Sequence, residues 1–210
     1  MNMKKTSLFF LLAFLSLAAG AQLRQHSNTQ GFQAYAGVHS LGWTSTYFQF
    51  LDEHAGSGVG GGIQVGYGVT QLLEPYIGYD FTSLSTSDVD AESFHMSHLD
   101  VGLRFNLGGT ILRLRPFLQG GFTRRAGTIR HIINGTQYND IGFSGGTPHF
   151  GGGVRYFPSK GISIFASGVF TTSKKNNLTV DDQKSSDKPD VTTFRIGLGV
   201  GINISQLMGE

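Results

Sequence analysis

"TTFRIGLGVGINIS", residues 192–205, alternates with a two-residue period over almost its whole length. One set of alternate positions is Phe194, Ile196, Leu198, Val200, Ile202 and Ile204. The other is Thr193, Arg195, Gly197, Gly199, Gly201, Asn203 and Ser205. A two-residue period marks a β-strand whose faces meet different surroundings. Glycine weakens a strand interior, because it packs nothing and loses much backbone freedom on folding. Three glycines in register on one face need a reason, and that reason decides the fold.

The pattern recurs. In 59–69, Val59, Ile63, Val65, Tyr67 and Val69 alternate with Gly60, Gly62, Gln64, Gly66 and Gly68. In 94–107, Leu99, Val101, Leu103, Phe105 and Leu107 alternate with His98, Asp100, Gly102, Arg104 and Asn106. Strands are expected near 32–42, 59–69, 75–83, 94–107, 114–123, 149–157, 162–170 and 192–204, with no competing helical period. The connections at 43–58, 84–93, 124–148 and 171–191 are long and polar. Those at 70–74, 108–113 and 158–161 are short. In an up-and-down antiparallel sheet, all long loops then lie at one end and all tight turns at the other, the asymmetry of outer-membrane barrels. An even strand count places both termini on the short-turn, periplasmic side.

Which face is inside follows from residue size. The polar face is glycine interrupted by bulky charged groups, as an interior only a few side chains wide requires. The opposite face is large and apolar on nearly every strand, far beyond the patches that soluble monomers expose to water. Against lipid it is what is needed. The expectation is an all-β chain: an eight-stranded antiparallel up-and-down transmembrane β-barrel.

Composition agrees. The chain begins "MNMKKTSLFFLLAFLSLAAGAQ", with Lys4 and Lys5, an apolar run and a small-x-small site at Ala19-Gly20-Ala21. That reads as a secretory signal peptide over 1–21, leaving one barrel domain over 22–210. The full chain has 16 lysines and arginines against 14 acids. The leader removes two lysines and no acid, so the mature chain has no net charge and no nucleic-acid footprint. There is no cysteine, hence no disulfide and no thiolate metal site. Glycine numbers 31 in 210 residues, about twice the usual ~7%.

"GGGIQVGYGVTQLLEPYIGYDF", "HLDVGLRFNL…LRPFLQGGF" and "GGGVRYFPSKGISIFASGVF" resemble the strand–turn–strand units of small OmpA/OmpX-type outer-membrane barrels. The likeness is closest to the outer membrane protein beta-barrel domain group of Bacteroidetes-type bacteria. It implies a cell outer-membrane location, with outer-membrane lipid, lipopolysaccharide and the assembly machinery as partners. Many such barrels end on an aromatic residue read by that machinery, whereas this chain continues after Ile204 as Ser-Gln-Leu-Met-Gly-Glu.

Four groups of residues could carry a role. Asp80, Asp100, Arg104, Arg115, Arg155 and Arg195 fall on the inward face, where charges must pair or hold water. A structural plug of ion pairs is the favoured reading over a gate or small pore, because side chains about fill an eight-stranded interior. Arg124, Arg125 and Arg130 stand where lipopolysaccharide phosphates would lie, with His131 beside them. Trp43, Tyr47 and Phe48 would suit an aromatic girdle. His95 and Ser97 form a lipid-facing His-x-Ser pair at the outer rim that looks like lipid A deacylase chemistry, with Asp90 or Glu92 as the orienting acid.

Gly56-Ser-Gly-Val-Gly-Gly61 opens a strand rather than a helix and is no dinucleotide site. The histidines show no metal-ligand spacing, so no metal and no cofactor are implied. The expected role is non-enzymatic: envelope integrity, or binding of a surface ligand through the loops. A small diffusion channel for hydrophilic solutes is second, and a lipid A-modifying hydrolase third.

Overall fold

The computed structural model describes residues 25–134 and 137–208; the expected signal peptide lies outside the described residues. Ten strands and two short helices are present among them: β1 (Gly31–Thr44), β2 (Ser57–Gly68), β3 (Leu73–Leu84), β4 (Ser93–Asn106), β5 (Leu114–Asn134), β6 (Gln137–Ser159), β7 (Ile162–Ser173), β8 (Asn177–Val180), β9 (Gln183–Lys184) and β10 (Val191–Asn203), with α1 (Gln49–Ala55) and α2 (Ile204–Leu207). Strands β1 to β7 and β10 pair antiparallel in chain order. The β5–β6 and β1–β10 pairings close them into an eight-stranded barrel. The β8–β9 hairpin hangs on the upper part of β6.

Inward and outward residues alternate through every wall strand, with one phase throughout. On β10, Phe194, Ile196, Leu198, Val200 and Ile202 are exposed while Arg195, Gly201 and Asn203 are buried. The opening question is answered by what a side chain would strike. A Cβ on Gly199 would lie 2.5 Å from the Phe165 ring, and one on Gly201 2.5 Å from the Tyr35 ring. The glycines make room for rings and charged groups that cross a narrow lumen. Outward, Leu99 to Phe105 on β4 with Leu107 just past its end, and Phe194 to Ile202 on β10, belong to a continuous apolar belt. From Ser97 to Leu107 is about 34 Å of strand, or about 26 Å of height at a 40° tilt, a match to the lipid-facing band of an outer-membrane barrel.

Three departures from the expected layout occur at the loop end. The stretch 124–148 is not a loop, since β5 and β6 continue through it as a long hairpin. A bulge between Ile129 and Ile132, with His131 at φ 51°, bends it. The first connection folds α1, and the fourth forms β8 and β9. The tight turns at 69–72, 107–113 and 160–161 lie together at the opposite end.

Candidate functional site

The lumen is filled in layers, built from inward-facing residues on all eight wall strands. At the turn end, residues 25–30 tuck under the barrel, with Ser27 and Thr29 fully buried. Gly31 at φ 91° turns this segment up into β1, a conformation that suits glycine. The Thr29 amide donates to Gln71 Oε1 at 3.0 Å, and Asn203 Nδ2 donates to Gln30 O at 2.9 Å. Arg115 holds this cork without a carboxylate. Its guanidinium donates to Thr29 Oγ1 at 3.1 Å, Gln71 O at 2.7 Å and Leu107 O at 3.2 Å.

Above the cork, Glu74 gathers four partners. Arg104 Nη1 lies 2.9 Å from its Oε1 and Arg155 Nη2 3.3 Å from its Oε2, while Tyr35 and Asn106 donate at 2.8 and 3.2 Å. Aromatic rings sheathe both guanidinium groups. Arg104 Cζ is 4.8 Å from the Phe117 ring centre and Arg155 Cζ 4.9 Å from that of Tyr35, close enough for cation–π attraction. Two cations on one fully buried carboxylate make a stiff cross-brace between β3, β4 and β6.

The next layer is a second ion cluster. Arg195 bonds Asp80 through Nη1 and Asp100 through Nη2, the latter at 2.7 Å. Thr123 donates to Asp100 Oδ1 at 2.5 Å, and His149 bridges Thr123 and Tyr76. Beside this cluster a cavity of about 90 Å³ is lined by Gln64, Asp80, Gln119, His39 and Arg195, among others. That room suits several waters in polar surroundings.

Higher still, Arg125 donates to Val191 O at 2.9 Å and Thr171 Oγ1 at 3.2 Å. The polarity of the alternation then inverts. Leu41, Trp43, Leu84, Phe94, Ile129 and Phe143 point inward and form an apolar cap. Phe48 and Leu51 of the first loop and Leu178 of β8 pack into the same cluster. Trp43 lies 5.3 Å edge-on from Phe94 and stacks on Phe143 at 6.1 Å, and its indole N–H donates to Ala55 O at 2.8 Å.

Against the sequence expectations, Asp80, Asp100, Arg104, Arg115, Arg155 and Arg195 all point into the lumen. All but Arg115 are tied to carboxylates or guanidinium groups. Arg125 is a correction: it is fully buried inside the barrel, because it falls one residue out of phase with its outward neighbour Arg124. Arg124 and Arg130 are exposed on the outer face. Trp43 and Phe48 are also corrections, lying in the cap and not in a girdle.

His95 and Ser97 face outward on β4, but no relay joins them. His95 Nδ1 has no hydrogen-bond partner among the described residues and its ring tilts over Phe81 at 5.1 Å. Glu92 Oε2 lies 2.5 Å from His131 Nδ1 instead. The sequence reading also missed Glu74, which it had placed in a turn. The signal was available, since Glu74, Tyr76, Gly78 and Asp80 share one phase.

A family model described as "Outer membrane protein beta-barrel domain" matches residues 8–209. No curated protein matches the chain. Among solved structures, Neisserial surface protein A (NspA) is similar at 15% identity and TM-score 0.61, over 83% of this chain and 98% of that one. OprG of Pseudomonas aeruginosa aligns at 10% identity and TM-score 0.56, over 85% and 97%. Ail, the attachment invasion locus protein of Yersinia pestis, aligns at 13% identity and TM-score 0.52, over 83% and 100%. At these identities the likeness is one of fold.

Proposed function

The chain belongs to the outer membrane protein beta-barrel domain family, and from that premise we propose a non-enzymatic, non-conducting barrel that acts through its folded loop end. The tight turns and both termini face the periplasm, and the loops face outward. The observation that carries this reading is the filled lumen: a cork, two ion clusters and an apolar cap stacked in series, with no one of them taken as the whole seal. The cap also joins the first loop, the β5–β6 hairpin and β8 into one rigid head, which suits surface binding better than passage.

Osmotic swelling of vesicles containing the folded barrel tests this. Small sugars should enter no faster than in protein-free vesicles. Rapid swelling would replace this reading by the pore.

A second contact is favoured by the rim. Arg124 and Arg130 lie outward on β5, paired across the ladder with Leu99 and Ser93, at the upper edge of the apolar belt. Guanidinium groups there suit the phosphates of lipopolysaccharide. Ail has been solved with the heparin analogue sucrose octasulfate, and a sulfated sugar is accordingly a reasonable first probe of the loop end of this chain.

A further inference from the structure

Fully buried His98 and His149 and half-buried His39 lie around the Arg195 cluster, and the closed-barrel reading leaves their protons unused. We propose that neutral His39, His98 and His149 keep the lumen shut and that acid opens it. The lock rests on that reading, since only a closed lumen has something to open.

His149 shows why neutrality matters. An ionised carboxylate only accepts hydrogen bonds, so the Thr123 hydroxyl gives its proton to Asp100 Oδ1, 2.5 Å away. Thr123 Oγ1 can then only accept from His149 Nδ1, at 2.9 Å. The proton of neutral His149 is therefore on Nδ1, and bare Nε2 accepts the Tyr76 hydroxyl at 2.6 Å. A directional chain runs from Tyr76 through His149 and Thr123 to Asp100, which also accepts from Arg195, and Arg195 donates in turn to Asp80. A second proton on His149 would stand against the Tyr76 O–H and force the phenol to turn, breaking the chain at its middle.

The other two rings add to this. His98 is fully buried, with neither ring nitrogen hydrogen-bonded among the described residues. Its cross-strand neighbours are Asp80 on β3 and Arg125 on β5. His39 Nε2 lies 2.7 Å from Thr82 Oγ1, at the edge of the cavity.

The titratable and charged groups facing this level are Tyr35 from β1, Tyr76 and Asp80 from β3, Asp100 and Arg104 from β4, Arg125 from β5 and Arg195 from β10. Strands β2 and β7 offer no titratable or charged group there, only glycine, glutamine, serine, valine, threonine and Phe165. Among the described residues the lumen already holds Arg104, Arg115, Arg125, Arg155 and Arg195 against Glu74, Asp80 and Asp100. Cations are thus in excess before any histidine charges. Added protons raise that excess in a space with little water, and hydration of the lumen relieves it. The movement reaches the cap through Arg125, which is bonded to the carbonyl of cap residue Val191.

By linkage, each proton taken up on opening multiplies the open-to-closed ratio by up to about tenfold per pH unit. The test is planar-bilayer recording at about pH 7.5 and about pH 5, on either side of the usual histidine range. Wild-type barrel is compared with His39→Asn/His98→Asn/His149→Asn, each shown to be folded by its heat-modifiable gel mobility. Should the triple variant fail to fold, His149→Asn alone serves.

Wild type should be silent at the higher pH and open at least about tenfold more often at the lower, and the variant should lose that response. Two results would overturn the lock: a folded wild type silent at both values, or an acid response unchanged in the variant. Equal conductance at both values would instead sink the closed-barrel reading itself.

Discussion

Glu74 holds two guanidinium groups, a phenol and an amide on one fully buried carboxylate, so its loss strands two cations at once. Removing one partner of a buried pair typically costs about 3–5 kcal/mol. Glu74→Ala should lower the unfolding free energy by about that amount in urea titrations of the folded barrel. Asp190 is the half-exposed counterpart at the loop end. Partial burial works against its ionised form, but donation from the Thr46 hydroxyl and from the Thr46 and Tyr47 amides outweighs it and holds the carboxyl below its ordinary range. A depressed carboxyl contributes stability above its unfolded value of about 3.9 and loses it as the pH falls further. The protection factors of the Thr46 and Tyr47 amides, taken against intrinsic exchange at the same pH, should therefore fall below about pH 4, and at neutral pH in Asp190→Asn. Single-residue phase was legible in the sequence for Asp80, Asp100 and Arg195, whose strands alternate cleanly. It was lost for Glu74 and Arg125, because strand ends there were placed a few residues short, and a residue assigned to a loop has no phase.

At the scale of the elements, one physical change explains what the sequence hid. Within the lipid belt the wall strands carry polar residues inward and apolar ones outward. Above it the phase continues but the polarity inverts, as Trp43 against Thr44 and Phe94 and Met96 against His95 and Ser97 show. Once the outer face meets water and the inner face meets packed loops, the pattern becomes that of a soluble sandwich. Residues 124–148 therefore looked like a polar loop, although Thr123, Arg125, Gly127 and Ile129 continue the inward row of β5. Helix α1 has seven residues and only Leu51 and Ala55 buried, too short a run for its period to stand out. The cap is what orders these pieces. Replacing a buried large aromatic by alanine costs about 3–5 kcal/mol. In Trp43→Ala that loss should fall on the head: proteolysis should cut 45–56 and 174–190 readily while the belt strands stay protected.

For the whole molecule, the outer belt, the filled lumen and the capped head divide the work among lipid, interior and surface. The belt and the barrel closure could be read from alternation and loop asymmetry. The cap could not, because it joins all four upper connections, distant in sequence, through packing that leaves no local period. If the rim arginines meet lipopolysaccharide, Arg124→Ala/Arg130→Ala should lose the rise in melting temperature that wild type gains on moving from phospholipid to lipopolysaccharide-containing bilayers, with melting in phospholipid unchanged. An equal rise in both proteins would remove that contact.

The central claim is that the lumen is closed, and single-channel recording at neutral pH tests it most directly, with wild type beside Arg104→Ala/Arg155→Ala. The filled barrel predicts silence in the wild type and discrete conductance steps in the variant, where the brace on Glu74 is gone. Steady conductance steps in the wild type would contradict it.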